Sequence, residues 1–326
     1  MGEKTGMAIS TERFSFLMAS PNFQAEHHAP IPMASERGSR VETLFRRWPR
    51  YLAMARSVIN QVLKGCVTDL RLLARHWKGG VVFRQTSTHG FAMLVRTDEE
   101  VGRQIYCRRQ FEIEETEYIR QKVRNTDICF DVGANVGYYT LLLAKLCAQG
   151  QVHSFEPVPL NRHLLAINLL TNQIENVFVN QSAVGDSQTQ VDFMVTKDAA
   201  YSSFVDTGRK PVLATMRVQM ETLDNYCRER GISQIGFLKV DVEGAEGKVI
   251  EGASQILGEK RRRPRFVMLE LNESMLCKHG SSIRGVLGQM QAFGYRPFVY
   301  EHKTMIPFEQ QHYNLYENVF FITGDA

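Results

Sequence analysis

Between Ile128 and Leu146 the chain passes from an apolar run, Ile128-Cys129-Phe130, through Asp131-Val132-Gly133-Ala134-Asn135-Val136-Gly137. It then enters Tyr138-Tyr139-Thr140-Leu141-Leu142-Leu143-Ala144-Lys145-Leu146. The apolar run reads as a buried strand and the segment after the loop as a helix. A strand that breaks into a small-residue loop and restarts as a helix is the entry to a nucleotide-type site in an open α/β sheet. Gly133 and Gly137 let the backbone approach a ligand closely, because neither carries a Cβ. Asn135 tolerates unusual turn dihedrals and adds an amide that can hydrogen-bond.

A second apolar strand, Val152-His153-Ser154-Phe155, ends in Glu156-Pro157. In a doubly wound sheet the next parallel strand ends beside the glycine loop, which points Glu156 at a ribose. A carboxylate accepts hydrogen bonds from both vicinal hydroxyls of such a sugar. A dinucleotide dehydrogenase uses the same device, so a nicotinamide-dependent oxidoreductase is one reading. The loop lacks the G-x-G-x-x-G spacing, however, and the chain has no G-x-x-x-x-G-K-[ST] loop. Asp131, at the head of the loop, would repel a pyrophosphate and suits a cationic ligand. The pattern favours S-adenosylmethionine, which carries a positive sulfonium and no phosphate.

A third segment, Phe237-Leu238-Lys239-Val240-Asp241-Val242-Glu243-Gly244-Ala245-Glu246, reads as another buried strand that ends in acids and turns into a helix over 247–257. Asp241 falls at the carboxyl end of that strand, the edge where open α/β sheets bind ligands. Taken in order, Asp131 to Thr140, Phe155-Glu156-Pro157, Thr222-Leu223-Asp224 and Leu238 to Glu246 resemble the successive motifs of the FkbM family of S-adenosylmethionine-dependent methyltransferases. The resemblance runs from about Asp127 to Leu271.

The resemblance implies a Rossmann-like class I methyltransferase fold: a seven-stranded, mostly parallel sheet with a C-terminal antiparallel hairpin. It implies O-methylation of a hydroxyl on a sugar, glycolipid or polyketide-type acceptor. Gly133, Asn135, Gly137 and Thr140 would shape the methionine and ribose end of the cofactor site. Asp131 would contact the amino-acid part, Glu156 the ribose hydroxyls, and Ala183-Val184 the adenine. Asp241 is the first candidate for general base or for a carboxylate that orients the acceptor. Glu243 and Glu270 are candidates to complete an acidic cluster with it. Glu243 and Glu246 have a second reading, as first-turn acids that offset the positive end of a helix. Spacing alone does not establish a divalent-cation site among these acids, and no metal is assigned.

An N-methyltransferase acting on a small molecule or nucleic acid is the other enzyme alternative. One acting on nucleic acid would be expected to show an Asn/Asp-Pro-Pro-aromatic motif where this chain has Asp241-Val242-Glu243-Gly244. His153, inside a strand, reads as packed rather than catalytic.

The remaining chain places further elements. Short strands are expected over 80–83 and 90–96 and a helix over 112–123, forming a cover that closes over the cofactor. A third parallel strand falls on Asn176 to Asn180. Runs 190–195 and 217–223 read as a pair flanking the polar stretch Lys197 to Lys210, whose Tyr201-Ser202-Ser203 is a further feature that resembles the family; this stretch is the candidate acceptor side. A strand over 266–271, a helix over 282–293 and final strands over 296–300 and 317–322 complete the expectation. The basic run Lys260-Arg261-Arg262-Arg263 with Arg265 follows a helix C-terminus, where cations are favoured, on the side of the sheet away from the cofactor.

Residues 1–39, rich in Ser, Ala, Pro, Met and His without periodicity, read as a flexible N-terminal arm. Adjacent His27-His28 in that polar setting does not indicate a metal site. Residues 40–79 form a basic amphipathic helical extension to a methyltransferase domain over 80–326. Arg40 to Lys78 holds nine Lys/Arg against two acids and both tryptophans, whereas the whole molecule carries +4. Its apolar stripe suits packing on the domain or a partner subunit. It also suits a peripheral contact with anionic headgroups. No nucleic-acid-reading motif accompanies the charge, so no nucleic-acid partner is expected. Hydrophobic residues make up 44% of the chain, enough for one sizeable core with an appendage. Six scattered cysteines without a C-x-x-C pair, several of them in apolar runs as reduced, buried thiols are, fit a reducing compartment. No apolar stretch approaches the ~20 residues of a membrane-spanning helix. The expected location is the cytoplasm, with a peripheral position at the inner membrane surface if the 40–78 helix meets lipid.

Overall fold

The apolar segments that end in small or acidic residues all run the same way, and their order sets where a ligand can lie. A computed structural model describes residues 82–324. The arm expected over 1–39, His27-His28 and the basic helix of 40–78 lie outside the described residues.

In chain order the elements begin with β1 (Val82–Thr86), β2 (Ala92–Arg96), α1 (Glu100–Arg108), α2 (Ile113–Lys122), β3 (Ile128–Val132), α3 (Tyr138–Leu146), β4 (Gln151–Phe155), α4 (Pro159–Thr171), β5 (Val177–Asn180) and β6 (Ala183–Val184). Then follow β7 (Thr189–Thr196), β8 (Val212–Glu221), α5 (Leu223–Glu229), β9 (Phe237–Val240), α6 (Glu246–Glu251), α7 (Ser254–Gly258), β10 (Phe266–Glu270), α8 (Glu273–Lys278), α9 (Ile283–Ala292), β11 (Tyr295–Glu301), β12 (Thr304–Pro307) and β13 (Asn318–Thr323).

The main sheet has eight strands in the order β12-β11-β13-β10-β9-β3-β4-β5. Strands β5, β4, β3, β9 and β10 are parallel, and β13 runs antiparallel between β10 and β11. This is the doubly wound, mostly parallel arrangement with a C-terminal antiparallel pair that the motifs led one to expect. The eighth strand, β12, folds back on the outer edge of β11. Its turn is His302-Lys303, both at positive φ (49° and 63°), so the tight hairpin forms without the Asn-Gly pair that usually announces one.

Side-chain alternation divides the core into two layers. Phe130, Leu238 and Val240 face a cluster that takes in Tyr226 of α5, Val249 of α6 and Val286 of α9. Cys129, Phe237 and Met268 face the other way, onto Ile119 of α2, Leu141 and Leu142 of α3 and Leu165 of α4. The same alternation sends Asp131 and Lys239, next in step with Cys129 and Phe237, to the α3 side. Burial of each large apolar side chain contributes ~1.5–3 kcal/mol, so the register of the sheet is firmly specified.

The single helix expected over 247–257 is two helices, α6 and α7. At Gly252 the backbone passes so close to the Gly185 carbonyl that a Cβ would meet its oxygen at 2.0 Å. Asp224 then starts α7, its carboxylate accepting the amides of Gln255 and Ile256, both at 2.9 Å. The Thr222-Leu223-Asp224 motif thus caps two helices, since Thr222 Oγ1 also accepts Asn225 N at the start of α5.

Strands β7 and β8 pair antiparallel, with β6 beside β8, in a separate three-stranded sheet. The segment between them, 197–211, hangs over the carboxyl edge of the main sheet. Arg265, in the basic run, pairs with Asp127, and Arg263 Nη1 donates to Phe293 O at 3.0 Å. These contacts lie at the amino ends of β3 and β10, as expected. Among the described residues no helix is long and apolar enough to cross a membrane. His153 is buried, stacked at 5.0 Å on Phe130 and 4.9 Å on Phe178, with Nδ1 on the Tyr226 hydroxyl. It is a packed residue.

Candidate active site

Where β3 has β9 on one side and β4 on the other, the chain leaves the sheet in opposite directions and a crevice opens. A cavity of about 230 Å³ lies there. The loop after β3 forms one wall. Gly133 and Ala134 both donate to Phe155 O at 3.0 Å, and Asn135 adopts φ 49°. A Cβ on Gly133 would sit 1.8 Å from Asp241 O, so this loop and the end of β9 are at closest approach.

Glu156 ties the end of β4 to that loop. Its Oε2 accepts Asn135 N at 2.8 Å and its Oε1 accepts Val158 N at 2.8 Å. Burial pushes this carboxyl up to about 7, against those two amides and Arg162. The group lines the cavity together with Gly133, Asn135, Ala183 and Val184.

Asp131, Gly137 and Thr140 do not line it. Asp131 and Thr140 are wholly buried beneath the floor, where Thr140 Oγ1 donates to Asp131 Oδ2 at 2.5 Å and lies 2.8 Å from Ser154 Oγ. The pleat turns Asp131 towards α3 rather than to the strand edge. Gly137 serves the helix start: at φ 93° it leaves room for Leu165, whose Cδ1 would lie 2.2 Å from a Cβ there.

The three candidate acids do come together. Carboxylate oxygens of Asp241, Glu243 and Glu270 lie within 4.8 Å of one another, close enough for a single cation to bridge. Two of the three are already ion-paired. Lys239 Nζ is 2.9 Å from Asp241 Oδ2, and Arg209 Nη1 is 2.9 Å from Glu243 Oε2. Their environments separate their protonation. Burial would raise Asp241, but Lys239 and a hydrogen bond with Glu270 outweigh it and hold the group below the usual range. Burial and then Asp241's charge push Glu270 well up. Burial, followed by Asp241, takes Glu243 to about 8 against the pull of Arg209.

Glu246 has the backbone role that was its second reading. Its Oε1 accepts Val242 N at 3.0 Å and Gly244 N at 3.2 Å, closing the turn on which Glu243 (φ 57°) and Gly244 (φ 103°) sit.

Residues outside the motifs build the facing wall. Glu112, just before α2, accepts the Tyr139 hydroxyl at 2.5 Å. Tyr201 hydrogen-bonds Glu100 of α1 and stacks under Arg209 at 4.1 Å. Glu100 N donates to Asp198 Oδ2 at 2.9 Å and Ala199 N to Glu99 Oε1 at 3.3 Å, so the 197–211 segment is fastened to the start of α1. Lys239 carried a visible signal, a cation inside a run of strand apolars. Glu112 and Glu100 carried none, because only the tertiary fold brings them here.

The family model described as methyltransferase FkbM domain matches residues 131–297. The 31-O-demethyl-FK506 methyltransferase FkbM of Streptomyces tacrolimicus is 32% identical over 166 residues, covering 41% of this chain and 63% of that protein. The 2-O-methyltransferase NoeI of Sinorhizobium fredii is 23% identical over 180 residues, covering 51% of this chain and 72% of that protein. The chain thus spans less than two thirds of the length of the first of these relatives. A crystal structure of methyltransferase FkbM from Methylobacillus flagellatus KT aligns with a TM-score of 0.41 and 14% identity, over 61% of this chain and 44% of that one. The family match takes in just over half of the chain, from the loop acid Asp131 through the acidic cluster to β11, and the chain therefore belongs to the methyltransferase FkbM family.

Proposed function

We propose that this chain is an S-adenosylmethionine-dependent O-methyltransferase acting on a hydroxyl of a sugar, glycolipid or polyketide-type acceptor. The observation that carries the reading is the meeting, in one cavity, of Asp241, whose Oδ2 lies 2.9 Å from Lys239 Nζ, with Glu270, the acid oxygens lying within 4.8 Å of one another. Against burial, Lys239 holds Asp241 below the usual range, while burial and then Asp241 push Glu270 up. Carboxyl groups whose environments push their protonation apart mark acid and base roles.

The cavity residues fit the cofactor. Among the charged residues of the wall the acids outnumber the cations, with Glu156 at the strand end next to the glycine loop, and the two cations, Lys239 and Arg209, are engaged with Asp241 and Glu243. Such a lining favours a positively charged ligand without phosphate. Bound there, S-adenosylmethionine supplies a methyl group on a positively charged sulfur. Glu156 binds the ribose hydroxyls through the carboxylate lone pairs that Asn135 and Val158 leave free. Ala183 and Val184 give the apolar border for the adenine. Asp241 orients the acceptor hydroxyl and takes its proton, while Glu270 hydrogen-bonds Asp241 as a neutral acid. Tyr201 and Arg209 border the acceptor side. The printed names of the two curated relatives both specify methylation at oxygen, which supports the O-directed form.

Calorimetric titration of the purified chain with S-adenosylhomocysteine tests this, with NADH and a Glu156→Ala variant alongside. Micromolar binding that is lost in the variant and absent for NADH supports the proposal. Binding of NADH instead, or no binding of S-adenosylhomocysteine, overturns it. A membrane-proximal acceptor is the form suggested by the basic amphipathic segment 40–78. Co-sedimentation with anionic vesicles at low salt, comparing the full chain with one that starts at residue 80, checks that form. Equal sedimentation of the two removes it.

A further inference from the structure

A charged side chain inside a strand covered on both faces is costly unless other groups compensate it. Strand β9 is buried along its whole length, and Lys239 within it is 2% exposed. The flanking Leu238 and Val240 are what such a strand ordinarily contains. In register, Lys239 stands beside Asp131 of β3 and Met268 of β10. Its Nζ is 2.9 Å from Asp241 Oδ2, 3.9 Å from Asp131 Oδ1 and 5.2 Å from the centre of the Tyr139 ring.

These contacts are unequal in kind. Asp131 spends Oδ2 on Thr140, and its Oδ1 has no hydrogen-bond partner. It faces the ammonium at ion-pair range without binding it. Tyr139 offers its ring, with the hydroxyl engaged by Glu112. The hydrogen bond from Lys239 goes to Asp241. Because residues two apart along a strand share a face, the deeply buried Lys239 reaches Asp241 Oδ2 directly, while the Asp241 carboxylate, 29% exposed, keeps a side open to the cavity that both residues line.

We propose that Lys239 is a positioning residue for the acceptor site: its ammonium, braced by Asp131 and the Tyr139 ring, pins Asp241 Oδ2 and keeps the negative charge of the acidic cluster on Asp241. This rests on the reading of Asp241 as proton acceptor. The charged groups that face Asp241 are Lys239 of β9, Asp131 from β3, Glu270 from β10, Glu243 from the following turn, Glu246 at the start of α6, Arg209 from the 197–211 segment and, behind Tyr139, Glu112. Arg209 is paired with Glu243, and Glu270 has no cation at contact among the described residues. Lys239 is therefore the group that decides which carboxylate stays charged.

The test is a carbon-detected NMR titration of full-length protein labelled at the aspartate Cγ, with Asp241→Asn identifying the Asp241 signal. The expected midpoint for Asp241 lies below the usual aspartate range. In Lys239→Met it rises by about one pH unit or more, and in Lys239→Arg it stays low. Should Lys239→Met fail to fold, Lys239→Gln keeps a donor without the charge and is expected to show the same rise. S-adenosylhomocysteine titration of the unaltered protein separates the two levels. Absence of binding overturns the methyltransferase reading whatever the Asp241 midpoint does. Binding together with an unmoved Asp241 midpoint in a folded Lys239 variant overturns the positioning role.

Discussion

The carboxylate of Glu156 accepts the backbone amide of Asn135 at 2.8 Å, joining the end of β4 to the loop after β3 across 21 residues of sequence. The bond fixes the loop in the conformation that puts Asn135 at positive φ. Replacing Glu156 by Ala strands two amides, Asn135 N and Val158 N, at a cost of ~1–3 kcal/mol for each buried donor left unpaired. If the same carboxylate binds ribose hydroxyls, affinity for S-adenosylhomocysteine falls ~10–100-fold as well, the equivalent of one or two charge-assisted bonds. Calorimetry and thermal melts on the same preparation read both effects.

Two glycines of similar backbone geometry should respond differently to alanine. Gly133 (φ 82°) has the Asp241 carbonyl oxygen 1.8 Å from where a Cβ would stand, while Gly90 (φ 78°) has nothing within 4 Å. Gly90→Ala carries the conformational cost alone, ~1 kcal/mol. Gly133→Ala adds a collision between two backbones and is expected to cost several-fold more, with ~2–4 °C of melting temperature lost per kcal/mol in a domain of this size. Equal melting shifts for the two would show that the loop and the end of β9 are not at contact.

Neutral isosteres should separate the acids. Burial and then the charge of Asp241 push Glu270 well up, towards its neutral form, so Glu270→Gln is expected to change turnover less than tenfold. Asp241→Asn removes the ionised member, and a loss of ~10²–10⁴ in kcat is expected, the usual worth of a positioned general base. The comparison is made by kcat on an acceptor found by screening. Equal losses would place the base elsewhere.

Stability should fall as pH rises, the reverse of the usual acidic-residue pattern. Burial, the leading cause in each case, raises Glu112, Glu156 and Glu246 to about 7 and Glu243 to about 8, from 4.5. Between those limits the folded chain binds more protons than the unfolded one, so the free energy of unfolding declines with increasing pH. Asp241, lowered instead, acts with the opposite sign, but only below about pH 4. Urea midpoints at pH 6 and pH 8.5 measure the slope, and the higher midpoint is expected at pH 6.

What the sequence made legible was local. The strand-loop-helix at 128–146, Glu156 at a strand end and Asp241 with its neighbours each announce themselves within about twenty residues. Alternation, hydrophobic runs and turn residues act at that range. The break between α6 and α7 was not legible, because it depends on Gly252 meeting Gly185, distant in sequence. Asp131 and Thr140 stand in the motif, and the structure buries both beneath the cavity floor rather than on its wall. A motif gives the position along the strand, whereas the pleat decides which face a side chain takes. Glu100 and Glu112 joined the cavity only through tertiary contacts, in the bond from Tyr201 to Glu100, 101 residues apart, and in that from Tyr139 to Glu112, 27 apart.

The segment that carries Tyr201 and Arg209 hangs from a three-stranded sheet that shares no strand with the main one. Its length and composition can change without disturbing any strand pairing of the eight-stranded sheet. If this segment is the acceptor side, as proposed, divergence within such a scaffold can rewrite what is recognised while leaving the main sheet unchanged, a removable jaw exchanged against a fixed anvil.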